Sequence, residues 1–142
     1  MDDILIDDYY HVHREVAFSD TDMAGLVHFA RLLIYAEDAE HCVLRTLGLA
    51  IYNRDEAWPR VHVSVNYHRP IMLGCADIGM KIAYVGDTSV HWEFAIWQED
   101  RLCCVGEYVV VHVGQDGKKK EISENTRQCL TSGFSKLISE GK

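Results

Sequence analysis

Hydrophobic and polar residues alternate along five segments of the chain, which predicts five strands. A period of two is typical of a strand that buries one face and exposes the other. The last segment is apolar on both sides near its end, which favours a central position in a sheet. The predicted strands are residues 9–18, 61–67, 76–85, 89–97 and 102–113.

The period changes between the first two strands, which predicts a long amphipathic helix over residues 29–47. Gly48 follows it, where a C-terminal capping glycine is common. Ser123 predicts the start of a final helix carrying Leu130, Phe134, Leu137 and Ile138. The apolar stripe of the long helix consists of Phe29, Leu32, Leu33, Ala36, Val43 and Leu47.

Short polar turns connect the later strands. Gly86-Asp87 and Glu99-Asp100 are short enough to make antiparallel hairpins, and Asp116-Gly117 marks a further turn. The order of strand, helix, four strands and helix predicts an α+β domain spanning residues 1–142. Its simplest packing is a five-stranded antiparallel sheet with the long helix on one face.

Composition narrows the possible partners and the compartment. A net charge of −8 over 142 residues argues against nucleic acid, which binds to concentrated positive charge. Five cysteines, an odd number without a C-x-x-C pair, are typical of reduced thiols. The opening residues do not predict a signal peptide, and no apolar stretch of the sequence has membrane-spanning length. We therefore expect a cytoplasmic protein without nucleic-acid or membrane partners.

Residues 18–30 are the segment with candidate chemistry. They place Asp20, Asp22 and Gly25 directly before the long helix, where unpaired amides and the positive end of the helix dipole collect. A carboxylate there could act as a nucleophile or base while the amides polarise a carbonyl group. Asp22 could equally cap a turn, which is the commonest use of Asp before a helix.

Metal sites are not expected. Asp20, Asp22 and Gly25 fit three places of a calcium-binding loop, but Ala24 and Arg31 occupy places that need oxygen ligands. The histidines lack the spacing of a zinc site.

Three motifs resemble the 4-hydroxybenzoyl-CoA thioesterase family of hotdog proteins. They are D-T-D-x-A-G-x-V at residues 20–27, Tyr67-His68-Arg69-Pro70 followed by Gly74, and Gly86-Asp87-Thr88-Ser89. The resemblance covers about residues 9–113. It implies a hotdog fold, in which the five-stranded sheet wraps around the long helix, and an acyl-CoA substrate with no cofactor.

The resemblance also implies roles for individual residues. Asp22 would be the catalytic carboxylate, acting as nucleophile or general base, and the backbone amide of Phe29 would polarise the thioester carbonyl. Glu37 would face the substrate region or a neighbouring subunit, and both Glu37 and His28 are counted as catalytic candidates. His28 stands one position before the usual histidine of the family, so its role is open. The residues expected to bind substrate are Gly25, Val27, Tyr67, Arg69 and Ser89.

Two functions remain open from the sequence. The first is hydrolysis of an acyl-CoA whose acyl group is aromatic (hydroxybenzoyl or dihydroxynaphthoyl) or short. The second is a non-catalytic hotdog module that binds acyl-CoA or a protein partner.

We also predict a homodimer or homotetramer. One helix covers only part of one sheet face, and Ala95 and Trp97 are apolar residues opposite Trp92 and Phe94. Apolar residues on both faces need a second cover. The resemblance points to paired subunits as well.

Overall fold

A computed structural model describes residues 4–50 and 53–141; residues 1–3, 51–52 and 142 of the predicted domain lie outside these ranges. The five predicted strands and both predicted helices are confirmed. The strands are β1 (Tyr10–Glu15), β2 (Glu56–Ala57), β3 (Arg60–Tyr67), β4 (Cys75–Val85), β5 (Ser89–Gln98), β6 (Arg101–Val111) and β7 (Val113–Gly114). The helices are α1 (Arg31–Thr46), α2 (Glu124–Gln128) and α3 (Phe134–Glu140), with a π-helical turn at Cys129–Gly133 that joins the last two.

Five strands form one antiparallel sheet in the order β1-β4-β5-β6-β3. The hairpin between β5 and β6 turns on Glu99 and Asp100, both with positive φ, as a two-residue hairpin requires. Strands β2 and β7 form a separate two-stranded sheet. The sequence did not reveal them as separate strands because each is only two residues long.

Helix α1 packs on one face of the sheet and forms the core with it. Its buried stripe meets the interior side chains of β4, β5 and β6, and the final helical segment adds Leu130 and Phe134. Gly48 ends α1 with a φ of +78°, and the Ser123 hydroxyl accepts the Thr126 amide at 3.2 Å, so both predicted caps are confirmed. Among the described helices, none has the length and apolar character needed to cross a membrane.

The first strand is shorter than predicted. It ends at Glu15 because its partner strand β4 begins at Cys75, opposite Glu15. The chain then forms a 3-10 turn at Phe18–Asp20, and Phe18 is 80% exposed, so the predicted end of the first strand at residue 18 was wrong.

The long helix begins at Arg31, two residues later than predicted. Phe29 and Ala30 form a turn before it, and the Phe29 side chain is 66% exposed instead of lying on the buried stripe. Phe29 therefore lies in the turn that precedes α1.

The sheet face away from α1 is partly covered by the chain itself. Ala95 and Trp97 are buried there against Tyr9 and Ile4 from the N-terminal segment. The expectation that this patch needs a partner was therefore wrong.

Candidate active site

The loop between β1 and α1 folds into a tight, well-anchored turn. The Asp22 amide donates to the Leu26 carbonyl at 2.7 Å, and Gly25 takes a φ of +80°, which favours glycine. The loop is fastened to the chain before β4, since the Val27 amide donates to the Ile71 carbonyl at 2.8 Å. Its backbone is therefore held in one conformation next to the start of α1.

Asp22 uses one carboxylate oxygen to hold this turn. Its Oδ1 accepts hydrogen bonds from the amides of Ala24 (2.8 Å) and Leu26 (3.2 Å). No donor to Oδ2 is found within residues 4–50 and 53–141, and the side chain is exposed. The capping role and a chemical role are therefore compatible, because each can use a different oxygen.

The turn before α1 offers a backbone amide in the same region as this carboxylate. The Ala30 amide donates to Nδ1 of His28 at 3.3 Å, and the Arg31 amide donates to the His28 carbonyl at 2.8 Å. The Phe29 amide has no acceptor in the described part of the chain. Its carbonyl accepts the Tyr67 hydroxyl at 3.0 Å, which joins the start of α1 to the end of β3.

These groups open into one cavity of about 390 Å³, which we call the Asp22 cavity. It has apolar walls and a few polar groups, as small-molecule sites do. Six of the nine predicted site residues line it: Asp22, Val27, His28, Phe29, Tyr67 and Arg69. Its other lining residues are Leu26, Leu32, His68, Pro70, Ile71 and Cys104.

The remaining three predicted residues lie elsewhere. Gly25 shapes the loop without lining the cavity. Ser89 lies at the start of β5. The residue of β5 that pairs with the cavity residue Cys104 is Ile96, and Ser89 lies roughly 23 Å from Ile96 along the strand at ~3.3 Å per residue. Glu37 lines a different cavity.

Asp20 anchors the loop on α1, a role that the sequence did not reveal. Its carboxylate is buried and accepts the Tyr35 hydroxyl at 2.7 Å, with the guanidinium groups of Arg14 and Arg31 at 4.0 and 3.9 Å. Burial, followed by the hydrogen bond to Asp20, raises the pKa of Tyr35. The Asp20 carbonyl also accepts the His28 amide at 2.9 Å. Tyr35 lies one helical turn after Leu32 on the buried stripe. This spacing is the one sequence feature from which its burial next to the loop could have been predicted.

Cys104 is the thiol in the Asp22 cavity, and it is not a nucleophile. It is 1% exposed, and burial, with Cys103 as the second cause, raises the pKa of its thiol to about 12. Since the thiolate is the reactive form, Cys104 is inert at neutral pH.

A second cavity, of about 470 Å³, lies beside the C-terminal half of α1, and we call it the Glu40 cavity. Oε1 of Glu40 accepts the Tyr108 hydroxyl and, at 3.0 Å, Nη2 of Arg60, which also contacts Glu37 at 3.2 Å. Burial, followed by the charge of Glu40, raises the pKa of Tyr108. The apolar walls of this cavity are Leu44, Leu49, Ala50, Ala57, Trp58, Val90, Trp92, Val110 and Leu130.

Comparison with known proteins identifies the family. The family model described as the thioesterase superfamily matches residues 24–105, which is more than half of the chain and begins two residues after Asp22. A 1,4-dihydroxy-2-naphthoyl-CoA hydrolase of Trichodesmium erythraeum is 32% identical over 136 residues, which cover 87% of this chain and 96% of the relative. A second hydrolase of that name, from Crocosphaera subtropica, is 27% identical over 95 residues, covering 63% and 69% of the two chains.

Solved structures agree on the fold. A 1,4-dihydroxy-2-naphthoyl-CoA thioesterase from Synechocystis superposes with a TM-score of 0.80 at 22% identity, over 85% of this chain and 94% of that protein. The sheet and the central helix thus have the arrangement found in the fold of that protein. The chain belongs to the thioesterase superfamily and is a thioester hydrolase with the hotdog fold.

Proposed function

We propose that the protein hydrolyses an acyl-CoA with a hydroxylated aromatic acyl group, and that Asp22 and the Phe29 amide carry the reaction. The first substrate to test is 1,4-dihydroxy-2-naphthoyl-CoA, because the relative that aligns over 96% of its length is named for it. The observation that supports the mechanism is that one cavity holds a carboxylate oxygen and a backbone amide that have no partner among residues 4–50 and 53–141.

The thioester carbonyl would lie between these two groups. Its oxygen would accept the Phe29 N–H, which stabilises the negative charge that develops in the tetrahedral intermediate. Asp22 would either attack the carbonyl carbon or take a proton from the attacking water. In both routes the C–S bond breaks, CoA leaves as the thiol, and water supplies the oxygen of the free acid.

Asp22→Asn tests the assignment. The substitution keeps the shape of the side chain and an oxygen that can cap the turn, but it removes the nucleophile or base. We expect a folded protein with at least ~100-fold slower release of CoA thiol from its best acyl-CoA. A rate near that of the wild type would disprove the role of Asp22, and the absence of thiol release by the wild type would favour the non-catalytic binding module.

We further propose that two copies pair through β3 into a homodimer, which can associate further into a homotetramer. Strand β3 is a sheet edge, bonded only to β6, and every residue in it except Val65 is exposed. Val61 and Val63 are 61% and 43% exposed. Val63 pairs with the buried Tyr108 and therefore lies on the same face of the sheet as the core. At this edge α1 no longer covers that face. A second copy would cover it.

Such pairing would make the site a shared one. In an antiparallel pair with the twofold axis near the middle of β3, the Tyr67 end of one strand lies beside the Arg60 end of the other. Tyr67 bonds to Phe29, and Arg60 bonds to Glu37 and Glu40. The Asp22 cavity of one copy would therefore face the Glu40 cavity of the other, and Glu37 would stand at the junction.

The five cysteines are all free, which supports the proposal that the enzyme works in the reducing cytoplasm.

A further inference from the structure

We propose that Glu40 determines substrate specificity by accepting a hydrogen bond from a hydroxyl group on the aromatic ring of the acyl group. This inference rests on the proposed function, that is, on hydrolysis at Asp22 in a site shared by two copies.

Glu40 is a buried carboxylate with one oxygen uncommitted. The residue is 6% exposed, and Oε1 takes both recorded hydrogen bonds, from Tyr108 and Arg60. No donor to Oε2 is found in residues 4–50 and 53–141. Within those residues, no buried side-chain oxygen or nitrogen sealed from solvent is without a partner. Oε2 is therefore not sealed from solvent, and because Glu40 lines the cavity we place this oxygen towards the cavity space.

The uncommitted oxygen calls for a neutral donor. Burying a carboxylate is costly unless its oxygens are hydrogen-bonded. Nη2 of Arg60 already gives Glu40 a charged partner, at 3.0 Å from Oε1. A hydroxyl group donates without adding charge, and its hydrogen bond to an ionised acceptor is stronger than one to a neutral acceptor.

The walls of the Glu40 cavity fit an aromatic ring. Trp92 and Val110 are buried apolar side chains on the sheet side of the cavity. Trp58 stands on another side, held by stacking on His112 at 4.4 Å, and His112 is fixed by a 2.6 Å hydrogen bond to Glu56. The volume of about 470 Å³ lies in the usual range for small-molecule sites.

A single chain cannot use both cavities for one acyl group. Phe29 and Glu40 are eleven positions apart at the start and middle of α1, a rise of roughly 16 Å at 1.5 Å per residue. A phenol or naphthol ring whose carbonyl is bonded to the Phe29 amide is too short to span that distance. The twofold pairing through β3 removes this obstacle, since it brings the Glu40 cavity of the second copy to the Asp22 cavity of the first.

The test compares substrates that differ only in the donor. We would measure kcat/KM for the hydroxybenzoyl-CoA isomers and the matching fluorobenzoyl-CoA isomers, in which fluorine has nearly the size of a hydroxyl but cannot donate. For the isomer that the wild type prefers, Glu40→Gln should reduce the hydroxyl-over-fluoro ratio about tenfold, because a neutral acceptor replaces a charged one. The ratio within one variant cancels any general loss of folding or catalysis.

Glu107→Gln is the matched control, since it removes the same charge from an exposed position of β6 that lines neither cavity and leaves Glu40 intact. Its hydroxyl-over-fluoro ratio should equal that of the wild type, whatever its absolute rate. A wild type without hydroxyl preference, or a Glu40→Gln variant that slows both substrates equally, would overturn the role of Glu40 while leaving thioester hydrolysis standing. A wild type that hydrolyses no acyl-CoA would overturn the proposed function and this inference with it.

Mixed dimers test whether the two groups come from different chains. Glu40→Gln is coexpressed with an excess of Asp22→Asn. Only sites whose Asp22 comes from a Glu40→Gln chain can then hydrolyse substrate, and in most of these sites the neighbouring chain is the Asp22→Asn variant, which supplies Glu40. Recovery of the wild-type hydroxyl preference in such mixtures supports the shared arrangement. A preference that stays at the Glu40→Gln value would refute it.

Discussion

Asp20 and Asp22 are two positions apart and have opposite environments. Asp20 is buried and fully engaged with Tyr35 and two arginines, so it fixes the loop. Asp22 is exposed and bonded through one oxygen only, to the amides of its own turn. A buried, paired carboxylate gives rigidity, whereas a carboxylate with an open oxygen at a cavity is available for chemistry.

His28 lines the same cavity, and we expect it to matter less than Asp22. Its Nδ1 accepts the Ala30 amide, which leaves the proton on Nε2 and suits the ring to capping the helix start more than to accepting a proton. His28→Ala should lower kcat/KM about tenfold or less, since one neutral hydrogen bond contributes roughly 0.5–1.5 kcal/mol. Steady-state kinetics beside Asp22→Asn decide the matter: equal losses would make His28 a full catalytic partner. Because an Asn side chain can also accept the Ala30 amide, His28→Asn should be milder still.

The candidate site was predicted from local features of the sequence, whereas features that depend on distant contacts were missed. The turn formers around Gly25 and the start of α1 are adjacent in sequence, so their motif could be recognised. The anchoring role of Asp20 depends on Arg14 and Tyr35 from two other elements. Ser89 matched a motif, but the direction of β5 carries it away from Asp22.

Among the secondary-structure elements, periodicity was a good guide wherever an element has one buried and one exposed face. Strands β4 and β5 and helix α1 have such faces, and their ends lie within two residues of the prediction. The first strand was predicted too long because its end is determined by its partner, β4, which the alternation within one segment cannot show. Strand β2 could not be predicted, because two residues are too few to show an alternation of apolar and polar positions.

Gly106 in β6 allows the buried Phe94 ring and the backbone of Ser64 to pack closely against this strand. A Cβ atom there would lie 2.3 Å from Cζ of the buried Phe94 and 2.9 Å from the backbone oxygen of Ser64. Gly106→Ala should therefore destabilise the protein by about 1–3 kcal/mol through overpacking. Denaturant titration at fixed protein concentration measures this change, and a stability equal to that of the wild type would contradict the packing argument.

Gly133 is the matched control for that substitution. Its backbone is helical, and a Cβ atom there would have no neighbour closer than 3.4 Å. Gly133→Ala should leave stability unchanged or raise it by up to about 1 kcal/mol, because alanine favours the helix.

For the whole molecule, coverage of the sheet is uneven. On one face, α1 and the final helical segment bury the centre but leave Val61, Val63 and Tyr67 of β3 exposed at the edge. On the other face, Tyr9 and Ile4 cover Ala95 and Trp97. The prediction of an oligomer therefore depends on the exposed apolar edge at β3 and not on the outer face, which the chain covers itself. Sequence could not make this distinction, because it depends on which strand lies at the edge.

Val63→Lys tests the assembly at that edge. In a twofold pair centred on β3, Val63 lies near its own counterpart, so the substitution would place two positive charges face to face in an apolar contact. We expect the wild type to sediment as a dimer or tetramer at micromolar concentration, and Val63→Lys as a monomer with little hydrolysis, because half of each site would be missing. Tyr84→Lys is the control: Tyr84 is 61% exposed on β4, away from the edge, and the same type of change there should leave both assembly and activity in place. A wild-type monomer with full activity per chain would refute the dimer and the shared site together, whereas a Val63→Lys variant that stays assembled would move the interface to another surface.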